Sequence, residues 1–529
     1  MYAGCFRAAP RADGARPGLT FRGATDDKRG AEYAMRAQAH PAAQGPREAQ
    51  IDIRPGTGSA AQALGDWMER AFAGLLVIAF GIVLGFQYMA PDRRVLSVLV
   101  ALLIGGVAWR LEIIASIGVM IMALPFPKGL SFGTTDLALV MLVVVIFMLR
   151  VGQRQIARPS GTPLDMPLLS MLVAYVISFY NVYPENLTGA MANFELLVTT
   201  LIMFYIVVNS VRTEADLRRL HGFQVMTLIL FTLLAFWELT HPGRALVPGW
   251  LDFTATVGDV FNTHNVRIGG SFNDYELLAD FCGLNILFLL FLFMQARGGY
   301  GRGLFITLLG TTVFLLFSTV TRGPIVSLFV AVAYMLWLMR RRLKVVSLTI
   351  GAATIAVTML TANFVVSKFT RSGDLFARLG QTEIKGFAPD TRAEAWRNAW
   401  EHFLLHPLIG CGPFYSASRG LKFWFWPHNL YLYIANTIGI LGFAFFAWLF
   451  VKIFQLTRPR VDTMGSESYV ESYLFMARVQ FVFFLVDQFK IEYLRNATYQ
   501  YQVWLMFGLW AAAARLRDQA GHPDVRLGD

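Results

Sequence analysis

Residues 427–451 read PHNLYLYIANTIGILGFAFFAWLFV, 25 positions without a single Lys, Arg, Asp or Glu. A run of roughly 20 apolar residues spans about 30 Å of hydrocarbon as a helix. A surface helix of a soluble protein would carry a polar stripe. The same kind of run recurs along the chain. By this criterion about 14 spans are expected, near 71–90, 95–109, 111–125, 133–149, 166–182, 193–211, 222–240, 275–296, 303–319, 324–339, 345–364, 427–451, 470–487 and 499–515. The second and third are short, and if they form one re-entrant unit the number falls to 12. The expected fold is all-α, a polytopic transmembrane helical bundle with a long outward-facing loop containing an amphipathic helix.

The composition agrees. Of 529 residues, 55% are hydrophobic and 15% charged, against about 25% charged in soluble proteins. A soluble enzyme, a disordered chain and a disulfide scaffold are excluded as descriptions of the whole. The net charge of +11 does not mark a nucleic-acid binder, because no basic stripe is interleaved with aromatics. The basic residues instead fill alternate short loops: Arg150, Arg154 and Arg158; Arg212, Arg218 and Arg219; Arg297 and Arg302; Arg340 to Arg342 with Lys344; Lys452, Arg458 and Arg460. That alternation is the positive-inside pattern and puts both termini in the cytoplasm. Cys5, Cys282 and Cys411 are too far apart in sequence to suggest a metal or redox cluster.

Residues 1–65 are rich in Ala, Arg, Gly and Pro and lack an apolar stretch, so they read as a disordered cytoplasmic tail rather than a cleaved signal. Met35 is an alternative start. Residues 66–516 form the expected transmembrane domain, and 517–529 a second cytoplasmic tail. The loops near 241–274 and 365–426 are the long outward ones, where chemistry is usually placed.

Four sites in these outer regions stand out. Arg267 lies in Asn265-Val266-Arg267-Ile268-Gly269-Gly270-Ser271-Phe272-Asn273-Asp274-Tyr275, where a guanidinium and Gly backbone N–H groups would face an anion. The competing reading is an interfacial Arg beside an ordinary turn. Arg322, in Thr321-Arg322-Gly323-Pro324, sits in an outer turn where the positive-inside bias disfavours it. Arg392 opens a helix, with Thr391 and Glu394 spaced as a capping box and Trp396, Trp400 and Phe403 on one apolar face. His428 enters a span from outside and is suited to accept a proton from a hydroxyl.

His402 and His406 have metal-compatible spacing but lack the acid and third ligand of a metal motif. No metal or cofactor is expected. Walker, dinucleotide and Asp-x-Asp motifs are missing, which disfavours an ATP-driven pump or a nucleotide-sugar transferase.

The ordered set Arg392-x3-Trp396-x2-Ala399, Pro407-x2-Gly410-x-Gly412, His428-Asn429-x-Tyr431-Leu432 and Gly439-x2-Gly442 resembles the O-antigen ligase/polymerase family. Arg267 with Gly270-x-Phe272-Asn273, and Thr321-Arg322-Gly323, resemble that family's two other marked segments. The resemblance spans roughly residues 190–450. It implies a bacterial inner-membrane, metal-independent inverting glycosyltransferase with its site facing the periplasm. The implied donor is a glycan on undecaprenyl diphosphate. The implied acceptor is lipid A core or a growing glycan, with membrane lipids around both and no nucleic acid. It also implies that Arg267, Arg322 and Arg392 bind the diphosphate, Arg392 least certainly of the three, and that His428 is the catalytic base. The family's Asn-Pro-Asn is Asn273-Asp274-Tyr275 here, so the Pro that fixes φ is replaced. The alternative function is a transporter or flippase for a lipid-linked glycan or small anion. A blander reading is a non-catalytic scaffold for polysaccharide assembly.

Overall fold

The computed structural model describes residues 112–126, 135–153, 159–241, 258–259, 262–340, 357–368, 384–385, 388–389, 392–413, 427–459 and 468–521. The expected spans at 71–90 and 95–109 and the tail at 1–65 lie outside the described residues, as do more than half of the span at 345–364 and of the outer loops at 241–274 and 365–426. The described residues fall within one compact unit, Ile78–Asp529.

The architecture is helical: α1 (Ile113–Ala123), α2 (Thr135–Gly152), α3 (Asp165–Ser178), α4 (Leu187–Ser210), α5 (Glu214–Thr240), α6 (Tyr275–Gln295), α7 (Gly299–Ser318), α8 (Arg322–Met339), α9 (Ala393–Leu405), α10 (Leu430–Leu456), α11 (Tyr469–Asp487) and α12 (Ala497–Gly521), with a further helical stretch at 357–368. Two small antiparallel hairpins interrupt it. One pairs β1 (Gly258–Asp259) with β2 (Asn262–Val266); the other pairs β3 (Ile384–Lys385) with β4 (Ala388–Pro389). Among the described residues, α5, α6, α7, α8, α10, α11 and α4 with its preceding turn are long and apolar enough to cross a membrane.

Burial sorts these helices. The most apolar windows of α6 and α11 are 72% buried, whereas those of α7 and α8 are 33% buried. So α6 and α11 are central, packed on each other, with α7 against α6 and α8 against α11 on the periphery. Leu304, Ile306, Val326, Phe329, Val330 and Trp337 on the peripheral pair are exposed. Such an apolar surface suits lipid, not water. The helix α12 packs on α4 and fully buries Trp504 and Trp510.

The basic loops gather at one end. Arg515 donates to Ser160 Oγ and to the Val211 carbonyl, and Arg517 donates to the Arg458 carbonyl at 2.7 Å. Three alternate loops and the last helix therefore meet, as the charge pattern anticipates. At that end Thr213 caps α5: its hydroxyl accepts from Asp216 N and Asp216 accepts from Thr213 N, a reciprocal capping box.

The run that opened the sequence reading is not one straight helix. Gly439 breaks α10 at φ 67°, ψ −173°. A break frees backbone groups that hydrocarbon cannot satisfy. The Pro407–Gly412 segment supplies partners: Cys411 N donates to Asn436 O (2.8 Å), Gly412 N to Thr437 O (2.9 Å), and Ile440 N donates to Pro407 O (2.8 Å). A Cβ on Gly410 or Gly439 would meet the facing backbone at 2.4 or 2.3 Å. The motif glycines are thus a close backbone crossing. His402 joins it, with Nδ1 3.0 Å from Asn436 Oδ1 and 3.8 Å from Cys411 Sγ.

Candidate functional site

Each predicted site residue sits beside a helix start. Asn273 is left-handed (φ 52°), and Asp274 behind it caps α6, accepting from Glu276 N (2.9 Å) and Leu277 N (3.2 Å). Asp274 stops the preceding turn by capping, where a Pro would do so by fixing φ. Thr321 precedes Arg322 at the start of α8, and Val320 is left-handed (φ 50°). Arg392 is the N-cap of α9. His428 is itself left-handed (φ 49°), followed by Asn429, which caps α10 by accepting from Leu432 N at 3.1 Å. These are the positive-φ residues other than glycine among the described residues. Each such conformation costs about 1–3 kcal/mol and persists where surrounding structure enforces it.

The chain brings these segments into one cluster. Glu276 is its hub. Arg392 Nη2 pairs with Glu276 Oε1, and Arg392 Nη1 donates to the Lys490 carbonyl. His428 Nδ1 lies 3.2 Å from Glu276 Oε2. Arg495 Nη2 reaches the same Oε2 at 3.1 Å and Asp274 Oδ2 at 2.6 Å, while its Nη1 stands 2.9 Å from His428 Nδ1 and 3.7 Å from Glu492 Oε1. Arg322 lies within electrostatic range of both Arg267 and Arg392. Lys490 crosses Gly323: a Cβ there would stand 2.6 Å from Lys490 Cδ. Burial lowers the Lys490 ammonium's pKa, Arg392 and Arg322 add to that, and Asp487 opposes it.

Arg267 is the exception to this pairing. It is 6% exposed, its guanidinium lies 4.5 Å over the Tyr275 ring, and its Nε and Nη2 have no hydrogen-bond partner among the described residues. A buried cation with open donors is costly unless an anion completes it. The neighbouring glycine N–H groups do not serve that anion: Gly269 N and Gly270 N donate to the buried Glu238 carboxylate at 3.2 and 2.6 Å. Glu238 therefore anchors the Arg267 loop, and the buried Arg267 Nε and Nη2 donors stay without a partner among the described residues.

The electrostatics favour an anion. Five cations (Arg267, Arg322, Arg392, Lys490 and Arg495) meet four carboxyls (Asp274, Glu276, Asp487 and Glu492). Burial pushes Glu492 up to about 7, against the Arg495 and His428 charges, so near neutrality it is only partly ionised. Asp274, Glu276 and Glu492 together overcome burial and hold Arg495 charged. The N-termini of α6, α8, α9, α10 and α12 all open onto this cluster. Each contributes a partial positive charge.

The predicted Arg267, Arg322, Arg392 and His428 thus lie together. Glu276, Lys490, Glu492 and Arg495 were not anticipated. Lys490 and Arg495 carry the signal that marked Arg322, basic residues in an expected outward loop. Glu276 was disguised, since an acid in the first turn of a helix is ordinary. His402 and His406, whose spacing alone suits a metal, point to different places, with His402 held in the α10 crossing and His406 ending α9. Among the described residues no group of three or more His, Cys, Asp or Glu is arranged to hold a metal.

Comparison with known proteins adds a partial similarity. No curated protein matches the chain. Residues 305–447 match the family model described as O-antigen ligase. The match includes Arg322, Arg392 and His428, and stops short of Arg267, Glu276 and Arg495. The chain is thus a multi-pass membrane protein in which residues 305–447 are similar to the O-antigen ligase family.

Proposed function

We propose that the protein is a membrane glycosyltransferase that moves a glycan from undecaprenyl diphosphate to a hydroxyl acceptor, lipid A core or a growing glycan. The observation that carries this reading is the gathering of residues far apart in sequence into one cluster at the helix N-termini: Arg322 lies within electrostatic range of Arg267 and Arg392, and Arg392 and His428 share Glu276. Arg267 has unused buried donors there. A diphosphate leaving group develops charge as the glycosidic bond breaks, and fixed cations stabilise that charge. Arg267 and Arg322 fill this role without a metal. Arg392, committed to Glu276 and the Lys490 carbonyl, adds its charge and shapes the rim.

His428 is the base. The acceptor O–H bond breaks, its proton moves to the ring, and its oxygen attacks the anomeric carbon as the bond to diphosphate opens on the opposite face. That displacement inverts the anomeric centre. General-base help of this kind is worth about 10²–10⁴-fold. A site at helix ends, opposite the basic loops, suits a lipid-anchored donor at a membrane surface. It also fits an inner-membrane location with both termini cytoplasmic and the site facing the periplasm. The transporter reading requires polar groups near the midplane of the spans; this cluster lies at their ends.

The test is transfer from purified undecaprenyl-diphosphate glycan, with EDTA present, to lipid A core and to a second lipid-linked unit. Product from wild type on one acceptor, lost in folded His428→Ala, is expected. Undiminished transfer by His428→Ala refutes the assignment of the base.

A further inference from the structure

His428 Nδ1 faces two opposite charges at once. Glu276 Oε2 stands 3.2 Å away and can only accept a proton from it. Arg495 Nη1 stands 2.9 Å away and can only donate to it. The two contacts require different tautomers. With Arg495 donating, the neutral ring carries its proton on Nε2 and has no lone pair there for an acceptor hydroxyl. With Nδ1–H given to Glu276, Nε2 is free to take that proton. We propose that Glu276 is the positioning residue that places the ring proton on Nδ1, that Arg495 opposes it, and that the balance between them fixes whether His428 works as a base. The inference rests on the transfer reaction proposed above.

A third group tips this balance. Both Glu492 carboxyl oxygens are buried and lack a hydrogen-bond donor, with Arg495 Nη1 nearest at 3.7 Å. An ionised Glu492 draws Nη1 toward itself. Arg495 Nη2 stays on Asp274 and Glu276 while Nη1 turns away. Nδ1 is then left to Glu276. The charged groups facing His428 are accordingly Glu276 from α6 and Glu492 and Arg495 from the segment between α11 and α12. Asp274 and Arg392 act through their pairs with Arg495 and Glu276.

The chemistry balances within the site. The acceptor proton forms the Nε2–H bond, and the electron pair of the broken O–H bond forms the new glycosidic bond. The pair of the broken bond to the donor leaves on the diphosphate. The imidazolium keeps its Nδ1–H on Glu276, so no further co-reactant is needed.

The experiment compares kcat and KM across pH for wild type, Glu276→Gln and Arg495→Gln. A neighbouring carboxylate favours the imidazolium and a cation disfavours it. The acidic limb of kcat should therefore move to lower pH in Glu276→Gln and to higher pH in Arg495→Gln, with KM little changed. A merely structural contact would lower activity without moving the limb. Limbs that stay in place in both folded variants overturn the proposal. The failure of the underlying reaction is separately visible as full activity in His428→Ala. Should the variants not fold, wild-type protein with ¹⁵N-labelled histidine, assigned with His428→Ala, answers the same question. Nδ1–H as the major neutral tautomer at pH 8 is expected. A ring that is mainly Nε2–H there overturns the proposal.

Discussion

Replacing Gly439 with Ala should be one of the most damaging single-methyl additions in the molecule. Its backbone (φ 67°, ψ −173°) lies in a region open essentially to glycine alone, a cost of about 1–3 kcal/mol for any other residue. The added Cβ would also stand 2.3 Å from Leu408 O and 2.4 Å from Leu408 C. These are backbone atoms, so relief requires the two chains to part. Parting weakens Ile440 N–Pro407 O, Cys411 N–Asn436 O and Gly412 N–Thr437 O. At about 0.5–1.5 kcal/mol each, losing two adds about 1–3 kcal/mol. The total, about 2–6 kcal/mol, is a large part of the 5–15 kcal/mol typical of a folded protein. The short segment carrying His428 hangs from this break, so transfer activity should fall as well. The control is Gly310→Ala in α7, where nothing lies within 4 Å of the new methyl and helix propensity should make the change neutral or up to about 1 kcal/mol stabilising. Equilibrium unfolding in mixed micelles, followed by tryptophan fluorescence, measures both. Gly439→Ala within about 0.5 kcal/mol of wild type, a margin typical of neutral surface changes, would refute the account of the crossing.

Two further expectations follow from the site. Arg267→Lys keeps the charge but loses the planar fork over Tyr275, so kcat/KM should drop about 10–100-fold, the equivalent of one or two charge-assisted hydrogen bonds; unchanged kcat/KM in the transfer assay would remove Arg267 from diphosphate binding. Glu492 has its pKa raised by burial from the usual 4.5 to about 7, so between those values the folded state holds a proton the unfolded state has released. Stability from this group is present below about pH 4.5 and is lost as pH rises to about 7. Glu492→Gln should abolish that part of the decline, giving a flatter melting temperature against pH than wild type; parallel curves would contradict the burial of an ionisable group there.

The sequence made the bundle legible because a membrane accepts few alternatives to apolar helices. His428 and Arg322 were legible for the same reason, since polar groups at span ends are conspicuous. What was hidden depended on partners rather than patterns. Glu238 holds the Arg267 loop through two glycine N–H partners 31 and 32 residues away, a separation no local pattern signals. Glu276 looked like first-turn decoration until Arg392 and Arg495, 116 and 219 residues distant, closed on it. The break at Gly439 was hidden because no charged residue interrupts the run on either side of it, and only the positive φ and the facing loop reveal it.

The distribution of the cluster along the chain bears on biosynthesis. Arg267 and Glu276 emerge from the ribosome first, Arg322, Arg392 and His428 follow, and Arg495 comes last, carried between α11 and α12. Until that last hairpin is inserted, Glu276 lacks one of its two guanidinium partners and His428 faces an incomplete charge set. A nascent or prematurely terminated chain can thus occupy the membrane without an assembled centre, and competence arrives only with the final pair of helices. Insertion order itself withholds the completed charge cluster from unfinished copies.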